Sequence, residues 1–214
     1  MSYIRQPQEP PEIELLAEKV RLVNKRSPKE IFSIDDNIPY HASRLLLVLR
    51  FAGRPVSAPR IEGRTKFVKL DFFVRYPQFL ERAARIILSR EEAANVVEEL
   101  KKSIIVESRM IRYRYGPWDK KYYLVLAYLS GKNLLDIETK SGIDIYTVSA
   151  AGFLATKGFA KSPEFKSLIT RCNIVGELFG DKTGNWLKDF IYRHYPEVTH
   201  APYYQFITLD KTEN

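Results

Sequence analysis

The segment from residue 61 to residue 77 constrains the fold more than any other, because it has the pattern of a helix that is apolar on nearly every side. Two sets of apolar residues recur at helical spacing on opposite faces. They are Phe67, Leu70, Phe73 and Val74 on one face and Val68, Phe72 and Tyr76 on the other. Other elements have to enclose such a helix, so we expect it to lie inside a domain built around it.

The ends and the charges of this helix are also marked in the sequence. Thr65 is placed to cap the backbone N–H groups of the first turn. Pro77 biases the residue before it away from helical angles, so the helix is expected to stop there. The charged residues fall on two strips, Lys66 with Lys69 and Asp71 with Arg75.

Composition sets the outer bounds of what the chain can be. Its 214 residues are 45% hydrophobic, which is enough for a sizeable core, and 34 Lys and Arg against 26 Asp and Glu give a net charge of +8. This charge is compatible with nucleic acid or with an acidic protein partner. Because no run approaches the roughly 20 apolar residues of a membrane span and residues 1–11 lack a signal-peptide core, we expect a cytoplasmic protein without a membrane contact.

The order of the predicted elements indicates a fold class. Helical patterns cover residues 12–25, 41–52, 78–88, 89–102, 120–130, 149–158, 163–179 and 186–195. Residues 111–115 alternate as a strand does, residues 116–119 are a predicted turn, and the strands 134–138 and 143–148 form a predicted hairpin. Two helices, an insert, a third helix and a hairpin are the order of a winged helix-turn-helix. We expect a mainly α fold with a small β-hairpin wing, in which a winged helix-turn-helix core carries helical extensions.

This order divides the chain into four predicted parts. They are an arm of tail and amphipathic helix (1–40), a winged-helix core with a helical insert (41–160), C-terminal helices (161–198) and a tail (199–214). Leu16 and Val20 lie on the apolar face of the arm helix. The arm could fold back on its own domain or dock on another chain, and in the second case Leu16 and Val20 are interface residues.

A search for catalytic, cofactor and metal motifs finds none. The histidines at 41, 194 and 200 do not have metal-ligand spacing. Residues 176–183 (GELFGDKT) approach a phosphate-binding loop, but only three residues separate the glycines and Asp181 stands where a glycine is required. We therefore expect a protein that is not an enzyme and that uses no metal or other cofactor.

Basic residues form two groups that are candidates for contact with the DNA backbone or with an acidic partner. The first group surrounds the helix at residues 61–77 and consists of Arg54, Arg60, Arg64, Lys66 and Lys69. The second precedes the turn at residue 116 and consists of Arg109, Arg112 and Arg114. For any single residue, solvation or pairing with an acid is the simpler expectation.

The predicted helix at 120–130 occupies the position of a DNA-recognition helix. Base reading uses Arg, Asn, Gln or Lys side chains, but the first turn offers only Lys120 and Lys121. The residues expected to face the core are Tyr122, Val125, Leu126 and Leu129. Leu124 and Tyr128 then face outward beside Lys121, so we expect a protein interface at these three residues. The wing carries Asp136, Glu138 and Asp144, which would repel phosphate.

Three segments carry a resemblance to a known family: residues 61–70, which begin IEGRTK, residues 113–119 (YRYGPWD) and residues 190–197 (FIYRHYPE). They are similar to the middle components of bacterial ABC-three-component systems, a group that includes Lamassu-type antiphage defence, and the likeness covers about residues 41–198. The resemblance implies a non-catalytic adaptor that joins an SMC/Rad50-like ABC ATPase to an effector, often a nuclease. In such a complex the two basic groups could follow double-stranded DNA that the ATPase holds. The alternative is a stand-alone winged-helix transcription regulator that reads operator DNA.

Overall fold

The computed structural model describes residues 37–102, 110–113, 116–205 and 207. The described residues from Ile38 onward belong to one compact unit. The predicted arm helix, with Leu16 and Val20, lies outside the described residues, and so do Arg109 and Arg114. The contacts expected of these residues therefore stay predictions.

Helices dominate the described residues and alternate with short strands. The helices are α1 (Ile38–Ala52), α2 (Arg64–Arg75), α3 (Pro77–Ile87), α4 (Arg90–Lys101), α5 (Tyr122–Gly131), α6 (Ala150–Phe159), α7 (Pro163–Phe179), α8 (Gly184–His194) and α9 (Pro196–His200). The strands are β1 (Arg60–Glu62), β2 (Ile111–Tyr113), β3 (Gly116–Trp118), β4 (Leu135–Lys140) and β5 (Ile143–Val148). None of these helices has both the length and the apolar character of a membrane span.

The three-stranded sheet confirms the predicted wing. Its order is β1–β5–β4, and both pairings are antiparallel. Ser141 and Gly142 join β4 to β5 with φ angles of 49° and 77°, as a two-residue hairpin turn with two positive φ angles requires. Because β1 lies between α1 and α2 in sequence and pairs with β5, the hairpin is fixed to the helical core.

Two local predictions differ from the structure. Helix α2 begins at Arg64 behind Gly63, whose φ of 84° favours glycine, so Thr65 lies inside the helix and does not cap it. Residues 116–118, predicted as a turn, form β3 and pair with β2, with Tyr113 opposite Gly116. The end of α2 is as predicted, because the helix stops at Arg75 and Pro77 is the first residue of α3.

Helix α2 is enclosed, as its apolar circumference predicts. It packs against α1, α3, α7, α8, β1 and β3, and every residue from Phe67 to Arg75 is buried. Aromatic rings provide much of the packing: Phe73 stacks on Phe179 of α7 with centroids 4.5 Å apart, and Phe72 meets Phe79 of α3 at 5.2 Å. Such ring pairs add stability beyond their buried area.

An ionic network is buried on the side of α2 that faces α1 and α5. The Asp71 carboxylate lies 2.7 Å from Nε of Arg44 and accepts a 2.6 Å hydrogen bond from the hydroxyl of Tyr122. Arg75 lies 3.9 Å from Asp71 and 3.0 Å from the Asp119 carboxylate. The predicted Asp71–Arg75 strip is therefore not a surface feature, because both side chains are fully buried and paired inside the fold.

The network holds the Asp71 carboxylate in its charged form. Burial disfavours this charge, but the cations Arg44 and Arg75 and the hydrogen bonds from Arg44 and Tyr122 outweigh it, so the pKa of Asp71 is lowered from its ordinary 3.8. Burial, followed by the Asp71 charge, raises the pKa of Tyr122. A carboxyl with a lowered folded-state pKa stabilises the fold above its ordinary pKa, and this stability is lost as the pH falls through the folded value.

Replacement of Asp71 tests the importance of this network. Asp71→Asn leaves Arg44 and Arg75 buried without their shared countercharge, so we expect the free energy of unfolding to fall by about 3–5 kcal/mol. Asp181→Asn is the control, because Asp181 is exposed and lies 3.8 Å from Arg54, and its loss is expected to cost less than about 1 kcal/mol. Urea denaturation of both variants measures the difference, and equal small effects would contradict the role given to Asp71.

Candidate functional site

A cavity of about 660 Å³ lies at the N-terminal end of α2. The first turns of α2, the hairpin β2–β3, the residues that lead into α5, the wing turn and Tyr204 surround it. The cavity thus brings together three regions that the sequence marks separately: the cations of α2, residues 113 and 116–118, and the wing. We call it the wing cavity.

Hydrogen bonds join the wing to the start of α2 at this point. The N–H of Gly63 donates a 2.8 Å hydrogen bond to the carbonyl oxygen of Asp144 in β5. The Asp144 carboxylate also accepts hydrogen bonds from Thr139 at 2.9 Å and from Arg64 at 3.2 Å. The hydrogen bond from Thr139 is the main reason that the pKa of Asp144 is lowered, with Tyr146 and Arg64 contributing. The wing is therefore tied to the start of α2.

One side of the wing cavity is a continuous row of aromatic rings. Tyr204 meets Tyr113 at 5.7 Å, Tyr113 meets Trp118 at 5.8 Å, and Trp118 meets Tyr123 at 5.7 Å between centroids. The guanidinium of Arg64 lies 4.8 Å above the Tyr123 ring. This row connects the C-terminal segment, the hairpin and the first turn of α5.

Residues 201–205, the C-terminal segment, are held against strand β2 of this hairpin. Backbone hydrogen bonds of 2.8 Å run from Arg112 N–H to Gln205 and from Tyr204 N–H to Arg112. The Arg112 side chain lies 4.4 Å from the centroid of the Tyr203 ring and donates to the carbonyl of Ala201. The sequence predicts Arg112 as a contact for DNA or an acidic partner, but its guanidinium fixes the C-terminal segment.

Two further basic candidates have structural uses. Arg54 donates to the carbonyl oxygens of Gly53, at 3.0 Å, and of Gly176, next to the C-terminal ends of α1 and α7, where cations are favourable. Lys66 donates a 2.8 Å hydrogen bond to the carbonyl of Gly180. Burial lowers the pKa of Lys66. Both side chains therefore donate hydrogen bonds to carbonyl oxygens at or near helix ends.

Lys69 differs most from its prediction. The sequence indicates a surface charge, but the residue is only 1% exposed and lines the wing cavity. Its ammonium lies 3.5 Å from the Thr65 carbonyl oxygen, and no carboxylate of the described residues forms an ion pair with it. Burial lowers its pKa from 10.5 to about 8; Lys188 adds to the lowering and Asp189 opposes it. It cannot be a surface contact for a phosphate backbone.

Of the predicted cations that the structure describes, Arg60 is the one exposed to solvent. It is exposed and lies 3.4 Å from the equally exposed Glu62, whereas Arg64 is paired with Asp144 inside the wing cavity. A second cavity of about 950 Å³ shares Gly63 and Thr65 with the wing cavity. Its charged lining residues are Arg54, Arg60, Lys66, Lys182 and Lys188 together with Glu62 and Asp181. Lys182 and Lys188 belong to this basic cavity but were not among the predicted contacts.

The segment that approaches a phosphate-binding loop runs along the edge of the basic cavity. Gly176 to Phe179 form the end of α7, so the segment follows no strand. The Thr183 hydroxyl accepts a hydrogen bond from the N–H of Trp186 and caps α8. Within the described residues, no three His, Cys, Asp or Glu side chains are grouped so as to hold a metal ion.

Helix α5 has the predicted inner face, but its outer face differs from the prediction. The four residues assigned to the core are buried: Tyr122, Val125, Leu126 and Leu129. Leu124 is 57% exposed, as predicted, whereas Tyr128 is half-buried against the core. Lys121 is also half-buried. Tyr123, which the sequence analysis missed, is 60% exposed beside Leu124, so the apolar outer face lies in the first turn.

The comparisons with known proteins give no match. No family model, no curated protein and no solved structure matches this chain.

The buried charge of Lys69 makes a prediction about stability. Because its folded-state pKa is about 8 against an ordinary 10.5, the protonated form destabilises the fold below pH 8, and the penalty disappears as the pH rises toward 10.5. We expect Lys69→Met to raise the free energy of unfolding by about 1–3 kcal/mol at pH 7, and by less at pH 10. Urea denaturation at both pH values measures this.

Lys101→Met provides the matched control. Lys101 is 67% exposed and lies 3.7 Å from Glu98, so the same chemical change is expected to alter stability by less than about 1 kcal/mol at either pH. A Lys69→Met variant that is less stable than the wild type at pH 7 would contradict the destabilising charge.

Proposed function

We propose that the chain is a non-catalytic adaptor subunit of a cytoplasmic antiphage defence complex, in which it links an SMC/Rad50-like ABC ATPase to an effector nuclease. The resemblance of residues 61–70, 113–119 and 190–197 to middle components of ABC-three-component systems supports the assignment. The structural observation that carries it is the outward pair Tyr123 and Leu124 in the first turn of α5. Its side chains are 60% and 57% exposed.

This pair has the character of a protein contact. Its base is rigid, because Tyr123 rests against the Trp118 ring and under the Arg64 guanidinium. Large apolar groups that are held rigidly and left in water are typical of interfaces, where Tyr is enriched among the residues that dominate binding. Ile143 in the wing is also exposed and lines the same cavity as Tyr123, which extends the apolar area.

The alternative function is a stand-alone transcription regulator, and the winged-helix topology is the observation that favours it. Base reading from α5 would need polar side chains at its start, where Tyr123 and Leu124 stand. The wing adds Asp136 and Glu138, both exposed, which would face phosphates unfavourably. These features favour the adaptor over the regulator.

A contact with the backbone of double-stranded DNA belongs to the same proposal and is assigned to the basic cavity. Its lining has five cations and two carboxylates, so it can attract phosphate independently of sequence. In a DNA-bound complex, we expect Lys182→Ala with Lys188→Ala to reduce the slope of log K against log salt by about 2, since each lost phosphate contact contributes about 1. Titration at several salt concentrations measures the slope. An unchanged slope would show that the DNA backbone does not contact Lys182 or Lys188.

The adaptor proposal is tested by co-purification with an SMC-like ATPase encoded beside this chain. We expect a stable complex with the wild type, and Tyr123→Ala combined with Leu124→Asp should weaken it by about tenfold or more, since truncation at interface centres often costs about 2 kcal/mol. Leu154→Asp is the control, because Leu154 is 70% exposed on α6.

Thermal melting separates an interface from a core position. The double variant is expected to melt within about 2 °C of the wild type, because both side chains are more than half exposed and substitutions at exposed positions usually change stability little. A large drop in melting temperature would assign both residues to the core. A wild-type chain that ignores the ATPase but binds a palindromic DNA tightly would favour the regulator.

A further inference from the structure

We propose that the wing cavity binds the phosphate and base of a nucleotide, with Lys69 as the cation that meets the phosphate. This inference does not depend on the adaptor role, because it concerns a small-ligand site within the isolated chain. It rests on four features of the cavity: its charge, the surroundings of Lys69, the N-terminal end of α2 and the aromatic row.

The charge of the lining favours an anion. The charged residues that line the cavity are three cations, Arg64, Lys69 and Lys120, and one carboxylate, Asp144. Asp144 is already occupied by hydrogen bonds from Thr139 and Arg64. The net charge of the lining is therefore +2, and the carboxylate is not available as a partner for the buried ammonium.

Lys69 is the group that most requires an anion. Lys69 as a residue is only 1% exposed, so its ammonium loses much of its hydration, and such a loss is costly without a countercharge or several hydrogen bonds. Its contact within the described residues is one 3.5 Å approach to the carbonyl of Thr65, which is at the outer limit of a hydrogen bond. A phosphate in the cavity would supply both the missing charge and strong acceptors.

The start of α2 supports a phosphate at the same place. The contact with Thr65 keeps the Lys69 ammonium beside the first turn of this twelve-residue helix. The N-cap residue is Gly63, which has no side chain to cover the N–H groups of that turn, and Gly63, Arg64 and Thr65 all line the cavity. Exposed N–H groups and the helix dipole favour phosphate, and lysine is a common phosphate ligand beside them.

The aromatic row supplies a surface for a base. Tyr113, Trp118, Tyr123 and Tyr204 line the cavity in ring contact with one another. Bases stack on aromatic side chains with little dependence on sequence, with a gain of about 1–3 kcal/mol per base. The volume of about 660 Å³ lies in the range of small-ligand sites and exceeds what a free phosphate would fill. A nucleotide matches this lining, because its base can stack on the aromatic row and its phosphate can meet Lys69.

Two sources offer this chemistry, a free mononucleotide and the 5′-phosphate end of a nucleic-acid strand. Isothermal titration of the full chain with AMP, GMP, CMP and UMP tests the first source. The second source is tested with a four-nucleotide single-stranded DNA that carries a 5′-phosphate. The same strand with a 5′-hydroxyl is the comparison. We expect one site per chain and no comparable binding of adenosine or of the 5′-hydroxyl strand. Binding of the mononucleotides alone identifies the free nucleotide, and tighter binding of the phosphorylated strand identifies the strand end.

Two pairs of variants assign the binding to this cavity. Lys69→Met is expected to weaken binding by about tenfold or more, while Lys101→Met, which makes the same change at an exposed lysine of α4, leaves it within about twofold. Tyr204→Ala is expected to weaken binding by about fivefold or more, while Tyr192→Ala, at an exposed tyrosine of α8, does not. Circular dichroism confirms that each variant is folded.

Several outcomes would overturn the proposal. They are the failure of every phosphorylated probe to bind the wild type, equal affinity for adenosine and AMP, and full affinity in folded Lys69→Met. Each leaves the adaptor proposal intact, because the partner contact is measured separately through Tyr123 and Leu124.

Discussion

The arrangement of the two candidate surfaces depends on the buried ion pairs and hydrogen bonds of the Asp71 carboxylate. This carboxylate joins Arg44 of α1 to Tyr122 at the start of α5 and, through Arg75, lies next to Asp119 in the segment before α5. A buried charge is tolerated only when such partners are complete, so these elements are fixed relative to one another. Both the wing cavity and the outward pair of α5 include Tyr123, which directly follows Tyr122, and both therefore rely on this one network.

Much of the fold could be predicted because it follows from local periodicity. The continuous apolar circumference of α2 requires enclosure, and α7 runs over the predicted residues 163–179. The sequence predicts Asp71 and Arg75 as a charged i,i+4 pair on one strip of the helix, which does not reveal that both are buried. The true surroundings of Asp71 come from Arg44 and Tyr122, which are 27 and 51 residues away in sequence. Tertiary partners at that separation leave no local pattern.

The candidate site was less predictable because long basic side chains can serve distant parts of the fold. Arg54 reaches Gly176 and Lys66 reaches Gly180, at separations of 122 and 114 residues. Their grouping in sequence indicates a basic cluster, but it does not reveal that two members hold helix ends and that Lys69 is buried. Tyr123 was missed for a related reason: the sequence places it on a helix but does not show the Trp118 ring on which it rests.

A winged-helix topology does not determine how the surface beside the wing is used. In DNA-reading members of this architecture, the recognition helix and the wing face the duplex with polar side chains. Here the start of α5 presents Tyr123 and Leu124, and the exposed wing residues Asp136 and Glu138 are acidic. The β2–β3 hairpin adds aromatic rings to this region. Together with the wing and the N-terminal end of α2, it forms a cavity that the buried Lys69 lines. The chemistry of this region therefore suits an apolar partner surface and a small anion better than the edges of base pairs.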